Sequence, residues 1–188
     1  MVDIDLSKFD NYFSTWPHTG QSKPSINEEG RVDVRFAETR VDVRFAETGV
    51  FGLRVKPGVK EIPYPLGMID GNFLCQDKKL PDMKNFPVVV AGTLDLRGTE
   101  FQSLAGFPQE VGYNVQLMVH KGMPLMRILQ SNIGNRISIV WPYKFPDPVR
   151  EDLEDILNKF KNQGNKGVLL AAAEILKLNK NEWMPNYN

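Results

Sequence analysis

The chain has little of what metal, disulfide and nucleophilic chemistry require. Its 188 residues include one cysteine, Cys75, and two histidines, His18 and His120. A single cysteine excludes an intrachain disulfide framework and any multi-cysteine zinc or iron–sulfur site. No aspartate or cysteine stands beside either histidine at ligand spacing, so the sequence predicts no metal site, no cofactor and no catalytic residue. We therefore expect that the protein is not an enzyme, and that Cys75 is a small buried side chain.

The chain also lacks an excess of charge of either sign and lacks long apolar runs. Lys and Arg together number 23, and Asp and Glu also number 23, so the formal net charge is zero. This balance removes the usual electrostatic signature of a protein that binds nucleic acid or acidic membranes. No stretch approaches the roughly 20 apolar residues that span a bilayer, and the acidic first residues do not resemble a secretory signal. We expect a soluble cytoplasmic protein with no membrane partner.

The residues that are present predict one folded domain over residues 1–188. Hydrophobic residues make up 41% of the chain, which is enough to form a core. We divide this domain into an irregular lead-in at 1–30, a tandem duplication at 31–48, a repeat sheet at 50–141 and a helix pair at 147–179.

The duplication at 31–48 consists of two identical nonamers, 31–39 and 40–48. Identity of adjacent segments indicates a recent tandem duplication or a deliberate insertion, and the sequence does not choose between them. Each copy alternates apolar and polar residues as a β-strand does. Because nine is odd, one straight strand through both copies would turn the apolar residues of the second copy to the opposite face. The chain must therefore turn, bulge or loop between them.

The second copy has the better turn chemistry. Gly49 follows it, and an alternating segment at 50–55 comes next, which is a pattern typical of a β-hairpin. We therefore predict an N-terminal hairpin between the second copy and residues 50–55. The first copy would then be an edge strand, a loop or a strand exchanged between molecules, so the protein is a monomer or a strand-exchanged dimer.

A degenerate repeat of about 21 residues runs through 50–141. A shift of 21 residues places Gly71 on Gly92 and maps the apolar positions that follow onto one another. The fold class that this predicts is α+β, with a solenoid-like short-repeat β-sheet in which each unit adds one short strand and a return segment. The predicted contiguous core consists of Phe73, Cys75, Leu80, Phe86, Leu94, Leu96, Phe101, Leu104, Phe107, Val115 and Leu117.

The C-terminal part has the periodicity of two helices. Asp147 and Pro148 are typical of a helix start. The inward positions predicted for the first helix are Leu153, Ile156, Leu157 and Phe160. Those predicted for the second helix are Val168, Leu169, Ala172, Ile175 and Leu176. We expect an antiparallel helix pair that covers one end or face of the sheet.

One unit of the repeat carries a resemblance. Phe101, Ser103-Leu104, Gly106, Pro108 and Val111-Gly112 match the motif N-x-L-x-S-L-x-G-x-P-x-x-V-G-G, although Tyr113 departs from its last glycine. The segment resembles the short leucine-rich-like repeats of small proteins from large tailed bacteriophages. Residues 160–167 and Glu182-Trp183 are similar to the closing helices of such proteins. The resemblance implies a repeat sheet with closing helices and a phage origin, and it carries over no catalytic residue.

Arginines recur on the outward positions of the predicted strands. The candidate binding surface is Arg35, Arg44, Arg54 and Arg97. The alternative is a solvated sheet face on which neighbouring aspartates balance these charges. Among those aspartates, Asp95 alternates with two leucines and is predicted to face solvent.

These observations favour a non-enzymatic binding protein, since repeat sheets offer extended surfaces. If the resemblance holds, it is a phage accessory protein that binds and inhibits a host or defence protein in the host cytoplasm. The alternative is a nucleic-acid-associated protein that uses an arginine stripe on the sheet and loses affinity steeply with salt. A hydrolase or transferase is a third class, which no motif supports.

Overall fold

Two six-stranded sheets make up most of the protein. A computed structural model describes residues 4–16, 22–36, 51–76, 80–99, 101–119, 122–140 and 147–178. The first sheet consists, in spatial order, of β1 (Phe13–Trp16), β4 (Gly52–Val55), β6 (Asn72–Leu74), β8 (Leu94–Leu96), β10 (Val115–Met118) and β12 (Ile137–Val140). The second consists of β11 (Asn132–Ile133), β9 (Glu110–Val111), β7 (Val89–Val90), β5 (Leu66–Ile69), β3 (Val32–Phe36) and β2 (Ser22–Ile26).

The chain winds through the two sheets alternately, as a solenoid does. A strand of the second sheet leads through a short corner into a strand of the first sheet, and a longer return segment leads back. Neighbouring strands of successive turns are parallel, and their register aligns Phe73 with Leu94 and Leu94 with Val115. The solenoid has about 4 turns with a spacing of about 21 residues, which confirms the predicted α+β fold class and its period.

Alternation along each strand places one set of side chains between the two sheets. Leu94 and Leu96 are completely buried there, and all eleven core positions predicted from the repeat are buried. Phe86 connects neighbouring turns, because its ring packs edge-to-face against Phe73 at 5.4 Å and against Phe101 at 5.6 Å between ring centroids. The repeat pattern therefore predicted one contiguous core correctly.

Glycines are required at the corners that join the second sheet to the first. A Cβ atom added at Gly112 would overlap the carbonyl oxygen of Ala91 in the turn below, and one added at Gly134 would overlap the carbonyl oxygen of Gly112. The backbones of successive corners therefore stack directly on one another. The corners are held by backbone hydrogen bonds such as Gly112 N to Val90 O, at 2.8 Å.

The N-terminal residues are more ordered than the predicted irregular lead-in. A 3₁₀ turn (Leu6–Lys8) and a short helix, α1 (Phe9–Tyr12), precede β1, which pairs antiparallel with β4. Strand β2 pairs antiparallel with β3 and closes the same end of the second sheet. Residues before 31 thus supply the first strand of both sheets.

An N-terminal hairpin is present, but it is not the predicted one. It joins β2 to β3, and β3 lies within the first nonamer. The predicted hairpin between the second nonamer and residues 50–55 is wrong, because β4 already has β1 on one side and β6 on the other. The first nonamer is an integral strand between β2 and β5, and the second nonamer, with Arg44, lies outside the described residues.

The turn before the first nonamer explains why this copy occupies the sheet. The side-chain oxygen of Asn27 accepts hydrogen bonds from the backbone nitrogens of Glu29 and Arg31, each at 3.0 Å. Its amide nitrogen donates to Asp33 on β3 at 3.0 Å, and Asp33 also accepts from Met68 N at 2.7 Å. The second nonamer follows Thr39 instead of this turn, so the turn favours the first copy.

Two helices close the opposite end of the solenoid. Helix α2 (Asp147–Phe160) and helix α3 (Gly164–Lys177) are joined by a reversal of the chain, and Lys159 of α2 pairs with Glu174 of α3 at 2.6 Å. The predicted inward residues of α2 are all buried. Three polar side chains of this end lie at four-residue spacing and bond to the last strand of each sheet; they are Glu154, Asn158 and Asn162.

These side chains replace the missing next strand. The Asn158 amide accepts from Ile137 N at 2.9 Å and donates to Ile137 O at 2.7 Å, so it satisfies both backbone groups of one residue of β12. Asn162 does the same for Ile133 of β11, with both bonds at 2.7 Å. Both sheet edges are thereby withdrawn from pairing with another chain. The expectation that the helices cover one end of the sheet is confirmed.

The inward face of α3 agrees with the predicted one in part, because Ile175 is buried and Val168 and Ala172 pack partly buried against the core. Gly167, Ala171 and Ile175 are buried, whereas Leu169 is 68% exposed and Leu176 is 52% exposed. A Cβ at position 167 would overlap the carbonyl oxygen of Phe160, so the two helices approach closely at this glycine. Close approach selects small residues for the interface and leaves the larger leucines outside.

Candidate binding surface

The arginines predicted as a binding surface do not lie on one sheet. Arg35 is exposed on β3 in the second sheet, and Arg54 is partly exposed on β4 in the first sheet. Arg97 directly follows β8, beside the first sheet, and Arg44 lies outside the described residues. The prediction assumed that successive strands are neighbours in one sheet, but here they alternate between two. Arg35 therefore lies apart from Arg54 and Arg97, which both belong to the first sheet.

Arg97 has a structural partner. Its Nη2 lies 2.7 Å from Oδ2 of Asp95, and its Nε lies 3.0 Å from Oδ1 of the same carboxylate. Gln76 donates to Oδ2 at 2.7 Å, and Asp95 is only 4% exposed. The hydrogen bond to Asp95 raises the pKa of Arg97. The prediction that Asp95 faces solvent is wrong, because Arg97 and Gln76 cover the carboxylate on the outer side of the strand.

A different surface is built by the return segments, which we call the loop side and define as residues 56–65, 80–88, 101–109 and 122–131. Two of its loops share one backbone turn, in which Phe86 N donates to Met83 O and Phe107 N donates to Leu104 O, each at 3.1 Å. The third residue of each turn has a positive φ, 64° at Asn85 and 88° at Gly106.

Side chains fix both turns at the same position. Asp82 Oδ1 accepts from Lys84 N at 2.9 Å, and one period later Ser103 Oγ accepts from Ala105 N at 3.1 Å. Such local bonds from Asp and Ser are typical of tight turns. The exposed residues of the loops are therefore held in equivalent positions on successive turns of a rigid stack.

A cleft of about 680 Å³ lies between these loops. Its lining includes Arg31, Lys84, Ala105, Phe107 and Arg127, which come from several turns of the solenoid. A second cavity, of about 370 Å³, shares Ala105 and Arg127 with the first and reaches Val168 on α3. We call the two together the loop-side cleft; it runs along the stack from β3 toward the C-terminal helices.

The loop-side cleft has an excess of positive charge. Lys84 and Arg127 are exposed, and neither forms an ion pair with any residue that the structure describes. Arg31 lies 3.4 Å from Glu29, whose side chain is 77% exposed, so this pair is a weak surface contact. The cleft is lined by one acidic residue, Asp82, which also bonds to the backbone of its own turn.

Sequence reasoning missed this surface because it looked for function on the strands. The signal was present in the spacing, since Lys84, Ala105 and Arg127 follow one another at one period and occupy equivalent loop positions. The loops carry these exposed side chains, whereas the strands mainly carry the core.

The groups with shifted pKa values are scattered and do not share the loop-side cleft. Burial, with Tyr12 and Asp5 nearby, raises the pKa of Tyr64, and burial beside Arg136 lowers the pKa of Lys161. Hydrogen bonds from Ser7 lower the pKa of Asp5. Active sites usually gather such groups in one cleft. Along the described parts of the chain, these shifts accompany local packing.

The residues considered for chemistry occupy separate places. Cys75 is completely buried in the core, as predicted, and His18 and His120 lie outside the described residues. Among the residues that the structure describes, no group of three or more His, Cys, Asp or Glu side chains is placed to hold a metal ion. No helix within the described ranges is long and apolar enough to cross a membrane.

Comparison with known proteins adds no relative. No family model matches the chain, and no significant match is found among curated proteins or solved structures.

Proposed function

We propose that this chain is a non-enzymatic binding protein that holds another protein in the loop-side cleft. The observation that supports this proposal is the construction of the cleft. Its walls are loops that repeat one backbone geometry, and hydrogen bonds to the side chains of Asp82 and Ser103 hold these loops in place. The loops connect strands whose inward side chains are buried in the core. Preformed surfaces of this kind lose little conformational entropy on binding.

The resemblance to phage proteins gives the proposal its direction. We propose that the partner is a host or defence protein of the bacterial cytoplasm, and that binding inhibits it. The nucleic-acid alternative relied on an arginine stripe, and it has less support because Arg35 lies on the other sheet from Arg54 and Arg97. Arg97 is also paired with Asp95.

A blocking substitution tests this function. Ala105 is exposed in the middle of the cleft, so Ala105→Trp fills the cleft without entering the core. The matched control is Ala91→Trp, because Ala91 is equally exposed but lies at a corner on another side of the stack. Tagged wild-type protein and both variants are used to capture proteins from bacterial lysate.

We expect the wild type and Ala91→Trp to capture the same protein and Ala105→Trp to lose it. The captured protein, once purified, should rebind the wild type in a saturable manner, and its own activity should fall in proportion to the fraction that is bound. Capture that survives Ala105→Trp, or the absence of any protein that discriminates between the two tryptophan variants, contradicts the proposal.

A further inference from the structure

The loop-side cleft presents its positive charges at regular intervals along the stack. Arg31 precedes β3, Lys84 lies in the loop that leads to β7, and Arg127 lies in the 3₁₀ helix Leu125–Gln130 that leads to β11. In the second sheet, β3 and β7 are two strands apart, as are β7 and β11. Since neighbouring strands lie about 4.8 Å apart, successive charges are displaced by about 10 Å along the axis.

This interval matches a simple polypeptide period. A chain in the polyproline II conformation, which is an extended left-handed helix, has three residues per turn and advances about 3.1 Å per residue, so residues three apart lie on one face about 9 Å apart. A segment in this conformation that lies along the cleft, with carboxylates at every third residue, therefore brings one acidic group to each of Arg31, Lys84 and Arg127. The match does not have to be exact, because side chains of this length adjust over a few ångströms.

The uncharged residues of the cleft are compatible with such a segment. Ala105 occupies the position between Lys84 and Arg127, and its small side chain leaves the path open. Ser103 and Gln109 add polar side chains to the lining, while Phe107 is 9% exposed and forms part of the wall. The lining thus offers hydrogen bonds to an extended backbone beside the three positive charges.

The charges of the cleft are also available. Lys84 and Arg127 have no ion pair among the described residues, and the Glu29 partner of Arg31 is largely exposed. Because the protein as a whole has no net charge, this excess is local to the cleft and steers an acidic ligand to it at short range.

We infer that the loop-side cleft binds an acidic, extended segment of a partner protein, with carboxylates spaced three residues apart. The inference rests on the proposed binding function and specifies the chemistry of the partner. A polyanion such as single-stranded DNA has the same sign of charge but is a different class of ligand, so it serves as a competing outcome.

The probe is a fluorescein-labelled peptide of about ten residues, with glutamates at every third position and alanine or serine elsewhere. Two matched peptides have the same length; one has glutamines at these positions, and the other has its three glutamates adjacent. Binding to the full chain is measured by fluorescence anisotropy at low and at physiological salt. Thermal unfolding verifies that each variant is folded.

We expect the spaced glutamate peptide to bind the wild type at least fivefold more tightly than either matched peptide. Lys84→Glu and Arg127→Glu should each weaken it by roughly fivefold or more, which corresponds to about 1 kcal/mol for one charge contact. Arg35→Glu removes an equally exposed arginine outside the cleft and should leave the affinity unchanged. Added salt should weaken binding of the glutamate peptide.

Several results would overturn the inference. Equal affinity for the glutamine peptide would exclude charge recognition, and equal affinity for the peptide with adjacent glutamates would exclude the spacing. An Arg35→Glu effect as large as that of Arg127→Glu would exclude the cleft. Tighter binding of a single-stranded DNA, also lost in Arg127→Glu, would assign the cleft to nucleic acid. If no peptide binds while a captured protein still discriminates Ala105→Trp from Ala91→Trp, this inference fails and the proposed function stands.

Discussion

Leu96 shows how the 21-residue period determines burial at the level of a single side chain. It lies in the middle of the core, with Cys75 and Leu117 at the equivalent positions of the turns on either side, and all three are buried. Truncation of such a residue loses its transfer free energy and leaves a cavity.

Leu96→Ala should therefore lower the free energy of unfolding by roughly 2–5 kcal/mol. Urea unfolding followed by circular dichroism measures this difference. Leu169→Ala is the matched control on α3, where the side chain is 68% exposed, and it should change the stability by less than about 0.5 kcal/mol. Similar losses for both variants would contradict the core register.

Asp95 shows that the alternation of apolar and polar residues along a strand does not predict the burial of every side chain. The pattern of Leu94, Asp95 and Leu96 correctly places Asp95 on the outer side of the strand, but it does not reveal what covers that side. Arg97 turns back on its own strand, and Gln76 reaches across from the neighbouring turn, so the carboxylate is buried. The burial depends on side-chain contacts between turns, which a single-strand pattern does not encode.

Arg97→Met should destabilise the protein by roughly 1–3 kcal/mol, because it leaves a buried carboxylate with Gln76 as its remaining side-chain donor. The cost stays below that of breaking a fully buried pair, since the Arg97 side chain is 49% exposed. Arg35→Met, on the exposed surface of β3, is the control for removal of an arginine. Equal stabilities of the two variants in urea unfolding would argue against a structural role of Arg97.

At the scale of elements, α2 and the turn that follows it take the place of a next strand for both sheets. Asn158 alone provides a donor and an acceptor to Ile137 of β12 and a further donor to Glu154 O. Sequence periodicity identified the apolar face of α2 but assigned no role to the polar side chains of Glu154 and Asn158. The bonds to β12 depend on how α2 packs against the end of the solenoid, which the helical period of the sequence does not encode.

Asn158→Leu should lower the free energy of unfolding by roughly 2–4 kcal/mol, because two backbone groups of Ile137 lose their partners. The uncovered edge should also promote self-association that increases with protein concentration. Asn165→Leu changes an exposed asparagine of α3 and provides the control. Urea unfolding and analytical ultracentrifugation measure the two effects, and a monomeric variant of unchanged stability would contradict the role of this cap.

Deletion of one nonamer tests whether both copies are needed for the fold. Deleting 31–39 or 40–48 produces the same polypeptide, since the two segments are identical. The deletion keeps the Asn27 turn directly before the remaining copy. It also shortens the connection from β3 to β4, which spans 37–51 in the full chain, by nine residues. A shorter connection has a smaller closure entropy cost, by about 0.8 kcal/mol for this change in length.

The deletion variant should therefore fold with equal or slightly higher stability, measured by urea unfolding. Val34→Asp offers a control, because Val34 is completely buried on β3 and the second nonamer carries the same valine. The substitution should cost less in the full chain than in the deletion variant, since only the full chain has a substitute segment. An unfolded deletion variant would show that both copies are structurally required.

At the scale of the whole molecule, the sequence predicted the repeat but did not predict that the chain alternates between two sheets. The period of about 21 residues depends on apolar spacing, which the sequence contains directly. The assignment of each strand to a sheet depends on the corners, which are only two or three residues long after β5, β7, β9 and β11. A single-sheet interpretation of the same period therefore placed the arginines together, although the winding puts Arg35 on the other sheet from Arg54 and Arg97.

The C-terminal helices should be essential for the whole solenoid. A chain that ends at residue 146 loses the four buried apolar side chains described on α2 and leaves the edges of β11 and β12 unpaired. We expect it to aggregate or to unfold without cooperativity, as measured by light scattering and calorimetry. A soluble truncation product with a sharp unfolding transition would contradict this prediction.

The end cap also restricts the lengths that this solenoid can have, because the cap fits only the edge of a complete turn. The asparagines of the cap recognise the edge of a completed turn, and they do so whatever the number of turns below it. An insertion equal to a whole period, such as a second copy of residues 91–111, would therefore raise the stack by one rung of about 4.8 Å and lengthen the loop-side cleft by the same amount. Nine residues are less than half of one 21-residue turn, so an insertion of this length is too short to form a further turn. The solenoid can therefore be lengthened only by complete turns. An insertion shorter than one turn has to be accommodated in the chain that connects two turns.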